Sequence, residues 1–348
     1  MKSLAREFLE QQAVPIEMAG TLRALGEYRG KQELFTRQTP KVLETLRQVA
    51  MIQSTESSNR IEGVVVPEKR LKALLEKKAT PQNRPEAEVM GYRDVLAKIH
   101  TSFRRMEVTP EAVLRMHKEM FRRTALPAGS WKRRDNAIEE RLPDGRWITR
   151  FSPVSAAQTP SYMKELCARF NRFWEEQRID RLLLLHAFVL DFLCIHPFTD
   201  GNGRISRLLT VLLLHQAGYD VGRYISLERL IEESKRNYYE VLQESSQKWH
   251  EGHHRLLPWW EYSLGVLLTA YKEFEDRVGV VRANRGAKTA WVEEAVRHLP
   301  DTFGIGELSR ACPGVSRPMI RVILEKLRDQ DKLESLGTGR GAMWRKRR

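Results

Sequence analysis

His196-Pro197-Phe198-Thr199-Asp200-Gly201-Asn202-Gly203-Arg204-Ile205-Ser206-Arg207 joins two apolar stretches, and its reading decides the fold. Residues 182–195, just before it, form the most apolar run of the chain, interrupted by His186 and Asp191. That run is too short to cross a bilayer and predicts a buried helix. From Ile205 a second apolar run, to about residue 217, predicts another helix. Between them, Gly201 and Gly203 flank Asn202, so the backbone can curl and gather its N–H groups at a helix start. Converging N–H donors and the helix dipole make an anion site. Arg204 and Arg207 can bring positive charge to phosphate oxygens. His196 titrates near neutrality and suits a general base. Asp200 is a hard oxygen ligand suited to magnesium held by phosphates. A base, a metal ligand, an oxyanion nest and two arginines in one segment point to phosphate-transfer chemistry.

Helical periodicity of apolar residues dominates the rest. It runs through residues 42–50, 88–99, 110–121, 161–177, 235–247 and 259–277, with Trp259-Trp260 opening a core helix. The exception lies between residues 130 and 154. There Leu142-Pro143-Asp144-Gly145-Arg146-Trp147 is a turn signal between β-friendly flanks, and predicts a hairpin of residues 137–142 and 146–151. Its free edge could pair with an extended peptide, or it could be a plain surface turn. His250, His253 and His254 around Glu251-Gly252 read as a solvated loop.

The chain has 348 residues, 41% hydrophobic and 30% charged, which suits two or three folded units. A net charge of +14 favours an anionic partner, nucleotide or nucleic acid. The three cysteines, Cys167, Cys194 and Cys312, show no CxxC spacing. They argue against a disulfide framework or a cysteine zinc site and favour a reducing compartment. The first residues lack the apolar core of a signal peptide, so a cytoplasmic, membrane-free protein is expected.

Residues 196–207 resemble the Fic family pattern His-Pro-Phe-x-Asp-Gly-Asn-Gly-Arg-x-x-Arg at every specified position. In weaker form the resemblance extends from about residue 15 to 275. It implies a mainly α fold, a helical core with a β-hairpin flap beside the loop, and transfer of AMP from ATP to a protein hydroxyl. His196 would take the proton from that hydroxyl and Asp200 would bind Mg2+. The backbone of Gly201 and Gly203, with the Asn202 side chain, would hold the α-phosphate. Arg204 and Arg207 would hold the outer phosphates. Ser206 stands where many members carry glycine, and a small residue there is compatible with nucleotide. Phe198 would anchor the loop in the core.

Gly129-Ser130-Trp131-Lys132 resembles the family's approach to the flap, with lysine replacing arginine, and Asn136-Ala137-Ile138 would open it. The proline-rich exit is reduced to Ser152-Pro153-Val154. A target protein would dock at residues 137–151. Tyr238, in Asn237-Tyr238-Tyr239-Glu240, either borders the adenine, as the resemblance implies, or is a core tyrosine.

A second motif lies upstream. Ser58 and Glu62 share a helix face, and Gly63 is a natural helix stop. Ser-x-x-x-Glu-Gly resembles the family's inhibitory motif. It implies that Glu62 pairs with Arg207, occupying the arginine needed for the γ-phosphate and misplacing the α-phosphate. Displacements of about 1 Å can cost about a hundredfold in rate.

Three regions are expected: an N-terminal helical region carrying the inhibitory helix (1–100), the catalytic core (101–281) and a small C-terminal domain (282–348). From Arg282 onward, 15 Lys and Arg face 8 Asp and Glu, a net of +7. Residues 288–299 and 304–311 and a helix capped by Ser316, with Pro318 in its first turn, precede two short strands flanking residues 338–341. The pattern resembles a winged helix-turn-helix, with Arg317 and Arg321 on the third helix and Arg340 and Arg345 to Arg348 on wing and tail. DNA and a protein partner are both open for it, and a homodimer is open for the whole chain. Two other functions stay open: removal of AMP or transfer of another phosphate-linked group on the same fold, and a DNA-binding regulator whose core senses nucleotide.

Overall fold

A computed structural model describes residues 2–38, 40–75, 79–141, 144–279, 287–312, 315–337 and 342–347. The order is α1 (Arg6–Glu10), α2 (Ile16–Gln38), α3 (Pro40–Ile61), α4 (Glu68–Leu75), α5 (Arg84–Ser102) and α6 (Pro110–Met120), then β1 (Ile138–Arg141) and β2 (Trp147–Phe151). There follow α7 (Thr159–Glu176), α8 (Arg181–Ile195), α9 (Asn202–Gln216), α10 (Leu227–Glu233), α11 (Lys235–Ser246) and α12 (Leu257–Gly279). The C-terminal part adds α13 (Ala287–His298), β3 (Thr302–Gly304), α14 (Ile305–Ala311), α15 (Arg317–Asp329), β4 (Leu333–Ser335) and β5 (Met343–Lys346). The fold is mainly α, with a small hairpin and a small three-stranded sheet.

One apolar core runs from Leu4 to Val278 and draws on residues both before and after position 100. Helix α8 is its axis, and residues 182–195 are all buried. Its two polar members are satisfied internally. His186 Nδ1 lies 2.8 Å from the Leu182 carbonyl, and Asp191 accepts from the Ser3 hydroxyl and the Trp249 indole at 2.5 and 2.6 Å. A buried helix carries polar groups only when each finds a partner in this way. The indoles of Trp259 and Trp260, at the start of α12, donate to the His186 and Leu183 carbonyls.

The expectation for His254 is corrected. It is buried, stacked on Phe8 at 4.3 Å, with Nε2 2.8 Å from the Ser3 hydroxyl. The sequence shows only its polar neighbours; the Asp191–Ser3 pair that receives it is far away along the chain.

The hairpin pairs Arg141 with Trp147, Glu140 with Ile148 and Glu139 with Thr149, then shifts register before Ile138 meets Phe151. Of the expected turn, Leu142 and Pro143 lie outside the described residues. The C-terminal part has its own core, including Val292, Phe303, Leu308, Ile320, Leu324 and Trp344. Its sheet order is β3-β5-β4, all antiparallel. Strand β3 is too short for a period-two pattern to announce it. Ser316 does precede α15, but its side chain makes no capping bond; its carbonyl takes the Ile320 N–H instead. Helix α14 touches α3, and Trp291 packs against the main core, so the two parts are in contact. No helix among the described residues is long and apolar enough to cross a membrane.

Candidate active site

The loop between α8 and α9 takes its shape from both ends. His196 ends α8 in the left-handed conformation, with φ of 51°, and its N–H still reaches the Phe192 carbonyl at 3.0 Å. Gly201 adopts φ of +85°, and an added Cβ would sit 2.7 Å from the Phe121 ring. Conformation and space both demand glycine there. Helix α9 starts at Asn202, three residues earlier than the apolar pattern suggests, because the glycine-rich turn is already helical at its end. Asn202 closes the loop on itself: Oδ1 accepts from Phe198 N at 2.9 Å and Nδ2 donates to Phe198 O at 2.7 Å. Its side chain is thus a latch in this state. Phe198 is fully buried against His117, with ring centroids 3.8 Å apart, and beside Trp131.

Three residues outside the loop hold it from the flap side. The His117 Nδ1 accepts from Gly129 N at 3.0 Å, which leaves the proton on Nε2 to donate to the Asp200 carbonyl at 3.1 Å. Burial pushes His117 down to about 4, so it is neutral and keeps this tautomer. Lys132 donates its backbone N–H to the Pro197 carbonyl, and its ammonium to Ile195 O and Asn136 Oδ1 at 3.1 and 2.7 Å. A cation at the last carbonyl of α8 also complements that helix's dipole. Asn136 Nδ2 in turn donates to Phe198 O at 3.1 Å.

His196 itself is pushed down to about 4, first by burial; the Lys132 charge acts in the same direction, while the Leu193 carbonyl and Glu62 oppose it. Its Nδ1 lies 3.3 Å from Leu193 O. A carbonyl only accepts, so that bond assigns the proton to Nδ1 and leaves the Nε2 lone pair available.

Arg207, buried on α9, faces α3. Its Nε donates to the Ser58 hydroxyl, and its Nη2 to the Ser58 carbonyl and to Glu62 Oε1, each at 2.8 Å. Its Nη1 is buried with no partner. The neighbouring Glu62 carboxylate holds the guanidinium well above the ordinary arginine value, against the effect of burial. Glu62 lies just past the end of α3, and Gly63 turns the chain away with φ of +78°. Lys235 Nζ donates to the Ile61 carbonyl at 2.8 Å, tying that end of α3 to α11. Gly203 leaves room for this arrangement, since a Cβ there would collide with Glu62 Oε1.

Arg204 is placed differently from the expectation of an outer-phosphate ligand. It is 1% exposed, lies over the Phe121 ring, and is paired with Glu88 and with Asp200 Oδ1. Asp200 Oδ2 receives Arg84 at 2.8 Å. Ser206 donates to the Gly203 carbonyl inside α9. Tyr238 is buried among Trp259, Tyr262 and Tyr239, beside Arg207 and Ser206, and not on an open surface.

His196, Asp200, Gly201, Asn202, Gly203, Arg204, Ser206, Arg207, Ser58 and Glu62 thus meet at one locus. The sequence reading missed Arg84, Glu88 and His117. No local signal marks them, because each reaches the loop from more than eighty residues away.

Residues 107–214 match the family described as Fic/DOC. The chain carries a Fic domain. Protein adenylyltransferase Fic from Drosophila erecta is 25% identical over 185 residues, 51% of this chain and 34% of that protein. The chain thus spans about a third of the length of the curated relatives it matches. Among solved structures, a Fic family protein from Desulfovibrio desulfuricans superposes with a TM-score of 0.62 at 20% identity, covering 97% of both chains. A Fic domain containing signaling protein from Bacteroides thetaiotaomicron gives 0.61 at 22% identity, over 72% of this chain and 94% of that one. These likenesses establish the Fic fold, and the Desulfovibrio match extends it to the C-terminal part.

Proposed function

We propose that the chain is a protein adenylyltransferase, moving AMP from ATP to a hydroxyl side chain of a target protein, and that Glu62 restrains it. What carries the reading is a neutral imidazole with its Nε2 lone pair available, beside a glycine-rich helix start suited to phosphate. His196 takes the hydroxyl proton. The N–H groups at the start of α9 receive the α-phosphate. Arg207 receives the γ-phosphate once Glu62 leaves, and its partnerless Nη1 supports that role. Arg204 serves an outer phosphate only by exchanging its present carboxylate partners, so its first task is to hold Asp200 and Glu88.

Asp200 is part-exposed and offers hard oxygens, which fits a magnesium ion held mainly by phosphates. That ion supplies charge neutralisation on the phosphates when bound. The hairpin of β1 and β2, with its exposed Trp147, is proposed to dock the target segment. Tyr238 contributes from behind Arg207, as packing for the nucleotide pocket. The C-terminal order of helix, strand, two helices and two strands supports a winged helix-turn-helix that binds DNA.

The test uses α-labelled ATP with magnesium in lysate. The Glu62→Gly protein should label a protein band about a hundredfold faster than wild type. Glu62→Gly with His196→Ala should label nothing. Equal labelling by Glu62→Gly and wild type would remove the restraint. Labelling from other nucleotides but not ATP would replace AMP transfer with transfer of another group.

A further inference from the structure

Two side chains of the loop and two of α5 form a closed ring of charge. Arg84, the first residue of α5, donates to Glu88 Oε1 and, at 2.8 Å, to Asp200 Oδ2. Arg204 closes the ring, donating to Glu88 Oε2 and, at 3.1 Å, to Asp200 Oδ1. Cation and anion alternate around it, and both oxygens of Asp200 are taken by guanidinium groups.

The two arginines are not equivalent. Arg204 and Glu88 are each 1% exposed, whereas the Arg84 side chain is 56% exposed. Breaking the Arg204–Glu88 pair leaves a charge buried and unpartnered, which is costly. Releasing Arg84 from Asp200 returns an exposed guanidinium to water, and an exposed pair of this kind is weak. Glu88 keeps hold of Arg84 when Asp200 lets go, so the arginine swings aside without leaving.

We propose that Arg84 is a displaceable counter-ion of Asp200, a positioning residue that sets how much divalent cation is needed before Asp200 can serve as a ligand. The inference rests on Asp200 being the metal ligand of the function proposed above. Arg84 holds the carboxylate in place and neutralises it. A divalent cation held by Asp200 would take the place of Arg84. The residue thus makes Asp200 selective for a metal-loaded nucleotide over a monovalent cation, because a single charge gains too little to evict a guanidinium.

The experiment measures ADP binding to the full chain by calorimetry across a series of magnesium concentrations. It reads the concentration giving half of the metal-dependent gain in affinity. In Arg84→Ala that concentration should fall about threefold or more, while Arg84→Lys stays nearer wild type. A midpoint that is unchanged or raised in Arg84→Ala overturns the proposal, a raised one meaning that Arg84 grips phosphate. Asp200→Asn separates the two layers. If it abolishes the metal-dependent gain but Arg84→Ala moves nothing, only the counter-ion role fails. If it keeps the gain, the ligand role of Asp200 fails as well. Thermal melting checks each variant. Asn83 caps α5 through Glu86 N, so the helix start does not depend on the Arg84 side chain; if Arg84→Ala melts early, Arg84→Gln gives the same reading.

Discussion

At the scale of the residue, the proposed base His196 shows how much of such a group's character comes from its neighbours. Burial is the first cause of its fall to about 4, and the Lys132 charge acts in the same direction. The neutral imidazole is the reactive form of a base, so activity is lost as pH falls through its pKa and is retained above it. Removing a charge that depresses the pKa raises it, and the acid limb must then move to higher pH. In a Glu62→Gly background, Lys132→Met should therefore shift the acid limb of labelling upward, and Lys132→Arg should not. The effect of the ammonium fades as pH rises past about 8, where Lys132 itself loses its charge because burial has lowered it. Rates between about pH 4 and about pH 8, the two values at which these groups titrate, decide the matter. A limb that stays put in Lys132→Met would mean that its charge is not felt at His196, leaving it the helix-end carbonyl and Asn136 to hold.

At the scale of the element, α5 and α6 set the wall of the loop through one close approach. A Cβ on Gly91 would collide with the Met120 carbonyl oxygen, a backbone atom that cannot swing aside. Helix α6 carries His117, and Met120 and Phe121 at its end line Gly201. Gly91→Ala should cost about 3 kcal/mol, as overpacking at a rigid contact does, and should weaken nucleotide binding as the wall moves. Urea unfolding measures the first effect; a loss under about 0.5 kcal/mol would show that the two helices part easily. The elements themselves are legible in the sequence, because α5, α9 and α12 each carry an apolar period, and α8 an apolar run, that one chain segment contains in full. The chemical loop is legible for a related reason: its base, glycines and arginines lie within one short segment. What supports the loop is not. Arg84, Glu88 and His117 look like ordinary helix residues until α5 and α6 are packed against α9. Ser58 and Glu62 sit between these cases: their shared face is readable, but their partner Arg207 enters only through resemblance. Arg204 reads as a phosphate ligand from its spacing, and only tertiary packing brings Glu88 to it.

At the scale of the whole molecule, the charge is unevenly spread, and the structure sorts which part can meet an anionic polymer. Half of the net +14 lies from Arg282 onward, in the C-terminal +7. Within it, the C-terminal strand region is partly neutralised: Arg345 pairs with Glu334, and Arg347 with Asp331 and Glu334. Arg340 and Arg348 lie outside the described residues. Arg317 and Arg321, by contrast, stand exposed on the outer face of α15, beside the 64% exposed Val322, while Ile320, Ile323, Leu324 and Leu327 hold that helix to its core. The proposed recognition helix would need this placement, with its apolar side inward and its cations outward. If α15 meets duplex DNA, binding should weaken steeply with salt, and Arg317→Ala with Arg321→Ala should reduce the log–log salt slope by about 2. The double substitution leaves the buried face of α15 untouched, so its folding is expected to survive. Binding that ignores salt, or a slope that the two substitutions leave unchanged, would turn this face of the molecule toward a protein partner instead. Either partner would sit on a part of the molecule whose α14 touches α3, the helix that ends at the residue before Glu62.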